Sequence, residues 1–432
     1  MPLSRYHVCF SDPDRPGFSL LYSTKKGSLV RLADRRIAAI RNGNPTDAER
    51  ATLGRLELWT DDPDAERTDM AGLVDRTNAA SRRFAATVVL TLDCNLACPY
   101  CFEGNFRDGG TMDEATARLL VEVVVREQIG RGRDVEIRFY GGEPLMAVPR
   151  LKAIARPLQA AAASHGTQFS MSLVTNGTLL TRPRVEELLP LGLAGAQVTL
   201  DGSAAIHDRQ RPYASGHGSY RDILANVAAV HDLVPLKLGG NFNPDNYRDF
   251  PRMLDDLLAA GVAPARLGPV QFAPILPRSG RPAVGDVCGC VSAGDDPWRI
   301  DAALFLREET LKRGFAVDKP AMGICMVELE NRWVVDRNGA LYKCPAFMGW
   351  PEMAVGTLAE GIGDFRDSHR LGFWQEDRCL DCRYLPLCFG GCRLLPMLRE
   401  GAIDEPDCRK AYYDAALEKI VRMDQRYRIQ AR

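Results

Sequence analysis

The sequence predicts an α/β protein built round a partial (β/α)6 barrel, with a small α+β unit before it and a cysteine-rich domain after it. Three observations carry this. From Ala85 the chain repeats a strand, loop, helix pattern six times; the first 82 residues alternate as a unit of their own; and beyond about Phe315 cysteines replace clear periodicity. A chain of 432 residues is also too long for one ordinary domain.

In the first unit (1–82), YHVCFS, FSLLYST and SLVRLA read as strands, followed by helical stretches ADRRIAAIRNG, TDAERATLGRLEL and DAERTDMAGLVDRTNAAS. Cys9, inside the first strand, reads as a small buried apolar residue.

The barrel (83–315) rests on ATVVLTLDC, VEIRFYGG, FSMSLVTNG, AGAQVTLDG, PLKLGGNFN and LGPVQFAPI, separated by helical periods such as TMDEATARLLVEVVVREQ. Strands alternating with helices predict a mostly parallel sheet. In such a barrel the loops after the strands gather at one face, where sites are built. The loop from Cys94, then GGEP, TNG and DG each follow a strand, so they are expected to converge. Phe139, Tyr140 and Phe272, near strand ends, read as core. PRSGRPAVGDVCGCVSAGDDP (277–297) interrupts the pattern as an irregular loop before the helix WRIDAALFLREETLKRG.

Composition sets the outer bounds. A net charge of −1, with 46% hydrophobic and 26% charged residues, gives no pull toward nucleic acid or anionic lipid. No stretch approaches the roughly 18 apolar residues of a membrane helix, and MPLSRYHVCF lacks an apolar signal core. A cytoplasmic protein without a membrane partner is the expectation. Thirteen cysteines in a reducing compartment read as ligands rather than disulfides. In the last segment (316–432), metal more than apolar burial has to organise the chain.

Cys94, Cys98 and Cys101 form a Cys-x3-Cys-x2-Cys loop. Three thiolates hold a four-iron, four-sulfur cluster and leave one iron without a protein ligand; a zinc knuckle is the rival. Gly141-Gly142-Glu143-Pro144 ends the next strand, where paired glycines let backbone approach a ligand and Glu143 can accept from a cationic amino group. Thr175-Asn176 offers short polar groups for hydroxyls, and Asp201-Gly202 leads into IHDRQRP, where Arg211 can fork onto a carboxylate. Of the six histidines only His207 lies in a motif, and it reads as holding the loop before Arg211. Singly these are ordinary turns and surface residues; their order on successive strands is what counts. Farther on come Cys325, Cys344 after Gly339, then Cys379, Cys382, Cys388 and Cys392 spaced Cys-x2-Cys-x5-Cys-x3-Cys, and Cys408. Seven cysteines can supply two further clusters, one with four thiolates and one with three; structural zinc is again the rival.

Through CNLACPYCFEG, GGEP, VTNG, DG-x4-HD-x2-R and CLDCRYLPLCFGGC, the chain from Ala85 onward resembles the radical S-adenosylmethionine (SAM) enzymes with a SPASM extension, and among them the geopeptide class of peptide maturases. The resemblance implies a TIM-like barrel and SAM chelated to the open iron beside Cys94, Cys98 and Cys101. Tyr100, Gly141, Gly142, Glu143, Pro144, Thr175, Asn176, Asp201 and Arg211 would be its cofactor contacts. It implies three 4Fe-4S clusters: besides the SAM-binding one, an inner auxiliary cluster on Cys325, Cys344 and Cys392 and an outer one on Cys379, Cys382, Cys388 and Cys408. Cys288 or Cys290 would complete the inner set or stand as free thiols. The first 82 residues look similar to a winged-helix-like element that binds leader peptides, or serve as a generic cap.

The function so implied is modification of a short, cysteine-rich precursor peptide. A deoxyadenosyl radical would remove a hydrogen, and closure onto a cysteine sulfur would make a thioether, with the open inner iron holding the thiolate and accepting the leftover electron. A flavodoxin or ferredoxin would supply reducing electrons. Rivals are a sulfatase-maturase-like or small-molecule SPASM oxidase, and a non-catalytic iron-sulfur protein that carries electrons or senses redox state. The sulfatase-maturing relatives carry an acid after the cysteine matching Cys344, and here Pro345 follows, which removes the expected base.

Overall fold

The computed structural model describes residues 3–101, 103–104, 109–275 and 297–430, without the side chains of 428–430. Cys288 and Cys290 lie outside the described residues. The chain groups into two compact units: Met1–Ala80 with Asp318–Leu329 and Arg370–Asp424, and Ser81–Val317 with Glu330–His369 and Gln425–Arg432.

In the first unit, β1 (His7–Ser11), β2 (Phe18–Ser23) and β3 (Leu29–Ala33) form an antiparallel sheet in that order. Four helices follow where the sequence suggests three: α1 (Asp34–Arg41), α2 (Asp47–Arg55), α3 (Pro63–Ala71) and α4 (Leu73–Ala80). The third predicted helix divides at Gly72, which ends α3. Starts follow capping chemistry: Thr46 and Glu49 form a reciprocal capping box, and Asp62 caps α3 ahead of Pro63. Leu21, Ile37, Ile40, Leu53 and Leu58 make the local core, with Cys9 half-buried against it.

The second unit carries the barrel. β4 (Arg83–Thr91), β5 (Asp134–Gly141), β6 (Phe169–Thr175), β7 (Leu193–Thr199), β8 (Leu236–Phe242) and β9 (Gln271–Pro274) are all parallel and in sequential order. The helices are α5 (Glu114–Glu127), α6 (Val148–His165), α7 (Arg182–Leu188), α8 (Ala204–Gln210), α9 (Tyr220–Val230), α10 (Phe250–Ala259) and α11 (Pro297–Lys312). From Ala86 to Thr91, β4 is buried throughout, as a strand covered on both faces must be. Val88, Ile137, Leu173, Val198 and Leu238 on the strands meet Leu120, Leu151 and Ile154 on the helices.

The sheet does not stop at six strands. β10 (Arg332–Val335) adds to β4 in parallel, and β11 (Ala340–Tyr342), β12 (Gly356–Thr357) and β13 (Gly361–Ile362) extend it antiparallel to ten. Strands of two to four residues are too short to show a period of two, so nothing in the sequence marked them.

The cysteine-rich part of the first unit has little regular structure: α12 (Asp377–Leu380) and α13 (Leu385–Cys388) are four residues each, followed by α14 (Leu394–Glu400) and α15 (Lys410–Gln430). Val8 and Tyr22 of the hairpin pack directly against Tyr384, Leu387, Leu417 and Val421.

Candidate active site

The strand ends of the barrel border a half-open cleft, lined by Cys94, Cys98 and Cys101, by Tyr100 and Glu103, and by Tyr140, Gly141, Gly142, Thr175, Asn176, Thr199 and Arg211. Residues scattered over 118 positions of sequence (94 to 211) thus meet at one face, because each follows or ends a parallel strand.

The cysteine loop is strapped down from two sides. Ala97 N–H donates to Pro212 O at 2.8 Å and Ala214 N–H to Asn95 O at 2.9 Å, with Leu96 and Tyr213 as bridge partners. On the other side Asn176 Nδ2 donates to Asn95 Oδ1 at 2.8 Å and reaches Cys94 Sγ at 3.5 Å, and Asn95 Nδ2 donates to Thr178 Oγ1 at 2.8 Å. The loop is therefore ordered by hydrogen bonds among protein groups.

The glycines of GGEP line the cleft and also make room for the end of β4. A Cβ on Gly141 would stand 2.2 Å from Thr91 O, and one on Gly142 2.2 Å from Asp93 O. Their close approach is to the end of β4, sealed by Gly142 N–H to Thr91 O and Glu143 N–H to Asp93 O. Glu143 itself is wholly buried and, with Pro144, lies off the cleft lining. Its carboxylate accepts from Leu145 N at 2.9 Å and Asn176 N at 2.8 Å, and both oxygens lie 2.9 Å from Thr175 Oγ1. Burial pushes its pKa up to about 7 against those donors and Arg211. Glu143 thus clasps the ends of β5 and β6.

Asp201 is likewise fully buried and off the cleft lining. It accepts from the Tyr100 hydroxyl and from Asn241 N at 2.7 Å, while Tyr100 Oη accepts from Arg211 Nη1 at 2.8 Å. A carboxylate, a phenol and a guanidinium therefore form a chain that aims Arg211 into the cleft. Burial, the largest cause, raises the Tyr100 pKa well above its usual value, and Arg211 opposes it. Arg211 Nε is buried and has no partner among the described residues. His207 Nδ1 accepts from Asp201 N at 3.1 Å and its Nε2 meets Ser219 Oγ at 3.1 Å; Ser219 donates to Arg211 O at 2.6 Å. Burial holds that imidazole neutral, which suits a loop brace.

Tyr140, read from sequence as core, lines the cleft, whereas Phe139 is fully buried. Asn95, Thr178 and Asn241 are none of the motifs' defining residues; Asn95 sits inside the cysteine motif and Thr178 next to TNG, so proximity is the sequence signal for those two. Burial, the largest cause, pushes Cys98 up to about 11, and Arg211 opposes that rise. The donor set suits the group that the motifs imply. Three thiols provide for a cluster, an unpartnered guanidinium N–H for a carboxylate, and Thr175, Asn176 and Thr199 for hydroxyls.

The second cysteine set is drawn together in the first unit. Burial is the main cause that raises Cys379 to about 11 and Cys388 to about 12, and each also feels neighbouring thiols of the set Cys379, Cys382 and Cys408. Cys392, raised to about 11 by burial, has Cys325 as its next influence. Gly391 lets this happen: at φ +78° its absent Cβ would lie 2.1 Å from Asp407 O, so the Cys388–Cys392 turn closes onto the segment before Cys408. Cys344 belongs to the other unit, after β11, where Pro345, Ala346 and Phe347 form a buried turn in place of an acid. Among the described residues no three His, Cys, Asp or Glu side chains converge on one metal ion. A cluster binds each thiolate to a different iron, so its ligands need not converge on one point.

A profile of the radical SAM superfamily matches residues 88–257. The serine-type anaerobic sulfatase-maturating enzyme of Klebsiella aerogenes is 32% identical over 316 residues, 69% of this chain and 76% of the relative. PqqA peptide cyclase of Rhodopseudomonas palustris is 25% identical over 354 residues, 75% of this chain and 86% of that one. Of solved structures, anSMEcpe with bound AdoMet superimposes with a TM-score of 0.62 at 17% identity, over 79% of this chain and 99% of its own. SuiB of Streptococcus suis bound to S-adenosylmethionine gives 0.52 at 15%, over 94% and 98%. At such identities the structures speak for the fold alone. No helix among the described residues is long and apolar enough to cross a membrane. The chain belongs to the radical SAM superfamily, among the enzymes that carry a cysteine-rich SPASM extension.

Proposed function

We propose that this enzyme modifies a ribosomally made precursor peptide, joining a cysteine sulfur to a carbon of the same peptide. The observation that carries the peptide substrate is the similarity to a peptide cyclase over 86% of that relative's length. The cysteine sulfur as partner rests on the resemblance to geopeptide maturases.

Cys94, Cys98 and Cys101 would hold the SAM-binding cluster, and Arg211, Thr175, Asn176 and Thr199 would hold SAM in the cleft. Together these groups supply, when bound, the deoxyadenosyl radical that abstracts hydrogen. The protein's own part is orientation: Asp201 and Tyr100 set the direction of Arg211, and Asn95 and Asn176 fix the cysteine loop. Cys379, Cys382, Cys388 and Cys408 would hold one auxiliary cluster, and Cys325, Cys344 and Cys392 another with an open iron. Residues 1–82 would take the leader, and a flavodoxin or ferredoxin would deliver electrons.

The test incubates reconstituted enzyme, SAM and reductant with a short cysteine-containing precursor encoded nearby. The expected product has lost two hydrogens and one alkylatable thiol. Loss of two hydrogens with every thiol still alkylated would exclude the thioether. A second reading, sulfatase maturation, is favoured by the 32% identity to the Klebsiella enzyme. It predicts oxidation of a sulfatase Ser or Cys peptide instead, and Pro345 where those enzymes carry an acid speaks against it.

A further inference from the structure

The N-terminal element does more in the first unit than offer a surface. Its residues reach one short stretch of the cysteine-rich part, the loop that carries Cys379 and Cys382. Tyr6, fully buried, donates its hydroxyl to Leu380 O at 2.9 Å. Thr24, also fully buried, places its hydroxyl 2.6 Å from Arg383 O. Arg5 and Arg67 both pair with Asp381, and Arg67 also with Asp377. Gln375 donates to Ala71 O at 3.0 Å. Four N-terminal side chains thus grip the main chain or side chains at 377, 380, 381 and 383, the last three directly beside Cys379 or Cys382.

The grip adds to the loop's own main-chain bonds, such as Cys382 N–H to Cys379 O and Leu385 N–H to Cys382 O, and to the burial of Leu380 and Tyr384. α12 is a single turn, and an isolated turn does not hold itself. The surface ion pairs contribute little by themselves, but the two buried hydroxyls hold the Leu380 and Arg383 carbonyls at 2.9 and 2.6 Å. Beneath them, Val8 and Tyr22 pack on Tyr384 and Leu387.

We infer that Tyr6 and Thr24 are positioning residues for the outer auxiliary cluster: the N-terminal element sets the geometry of the Cys379–Cys382 loop, and so the spectroscopic and redox character of the metal group held there. The inference rests on the proposed assignment of Cys379, Cys382, Cys388 and Cys408 to one cluster.

The test uses the full-length, anaerobically reconstituted protein and a Tyr6→Phe, Thr24→Val double variant, which removes two hydroxyls and no carbon framework. Thr24→Ser is the rescue control. Iron content, the low-temperature EPR spectrum and the reduction potentials are compared. A parent chain with about twelve iron atoms supports three clusters. The double variant is then expected to lose up to about four iron atoms, or to shift one set of EPR signals and one potential. The signals of the SAM cluster and cleavage of SAM without peptide should persist, and Thr24→Ser should match the parent. Parent and variant alike in iron, spectra and potentials would overturn the positioning role alone. Collapse of all signals together would also overturn it, in favour of a general folding role. A parent with about four iron atoms would overturn the cluster assignment itself, and the inference with it.

Discussion

The loop of Cys94, Cys98 and Cys101 leaves a strand buried on both faces and is pinned by main-chain bonds to Pro212 and Ala214, with Asn176 on its flank. Cys379, Cys382, Cys388 and Cys408 instead sit among one-turn helices, a left-handed run at Phe389, Gly390 and Gly391, and contacts from the first 24 residues. The first set is held by a sheet that folds for its own hydrophobic reasons. The second is held by turns and by sequence-distant side chains, with metal expected to supply the rest. Two cysteine sites in one chain thus divide into one set by a parallel sheet and one set by turns and contacts from sequence-distant side chains.

Removal of the barrel cysteines has the largest expected effect. A Cys94, Cys98, Cys101 triple Ala variant should lose about four iron atoms yet keep its far-UV circular dichroism, because hydrogen bonds rather than iron order that loop. Loss of helix and strand signal together would show the barrel to be metal-dependent after all. Iron chelation under anaerobic conditions should act on the other side of the comparison. Limited proteolysis is then expected to cut within 370–409 while 83–275 survives, and cleavage distributed evenly over both would erase the distinction.

Smaller effects probe the cleft. Arg211→Lys keeps the charge but loses the planar fork, so SAM affinity should fall about tenfold by isothermal titration. Unchanged affinity would show that Arg211 does not meet the cofactor carboxylate.

The smallest expected effect concerns Glu143. Its native pKa, about 7, lies above the ordinary 4.5, so the folded state binds its proton more tightly than the unfolded chain does. The stability contributed in this way is complete below pH 4.5 and is lost as pH rises through 7, with a slope of up to about 1.4 kcal/mol per pH unit. Urea unfolding of the Glu143→Gln variant should lack that slope. The same fall in parent and variant would place its origin elsewhere.

What could be read without coordinates follows the same divide. All six barrel strands announced themselves through apolar runs bounded by Gly, Asn or Asp, and the cleft followed from where those runs end. The cysteine motif showed that three thiols share a site; it did not show that Asn95 within it would be a tether. Glu143 was legible as important but its clasp was not, because a buried carboxylate that joins two strand ends and one that faces a ligand have the same sequence signature. The grouping of residues 1–80 with 370–424 was out of reach, since Tyr6 and Leu380 are joined by one hydrogen bond across 374 positions and no local pattern encodes such a pairing. β10 to β13 failed to appear because strands of two to four residues are too short to carry a period.

Reductive cleavage of SAM to deoxyadenosine, by anaerobically reconstituted protein with dithionite and beside the Cys94, Cys98, Cys101 triple Ala variant, bears most directly on the cleft and its superfamily. Deoxyadenosine should accumulate with the parent chain and fall to the no-enzyme background in the variant. Equal amounts from both, or none from a parent chain shown to hold its iron, would contradict the assignment of that cleft to SAM.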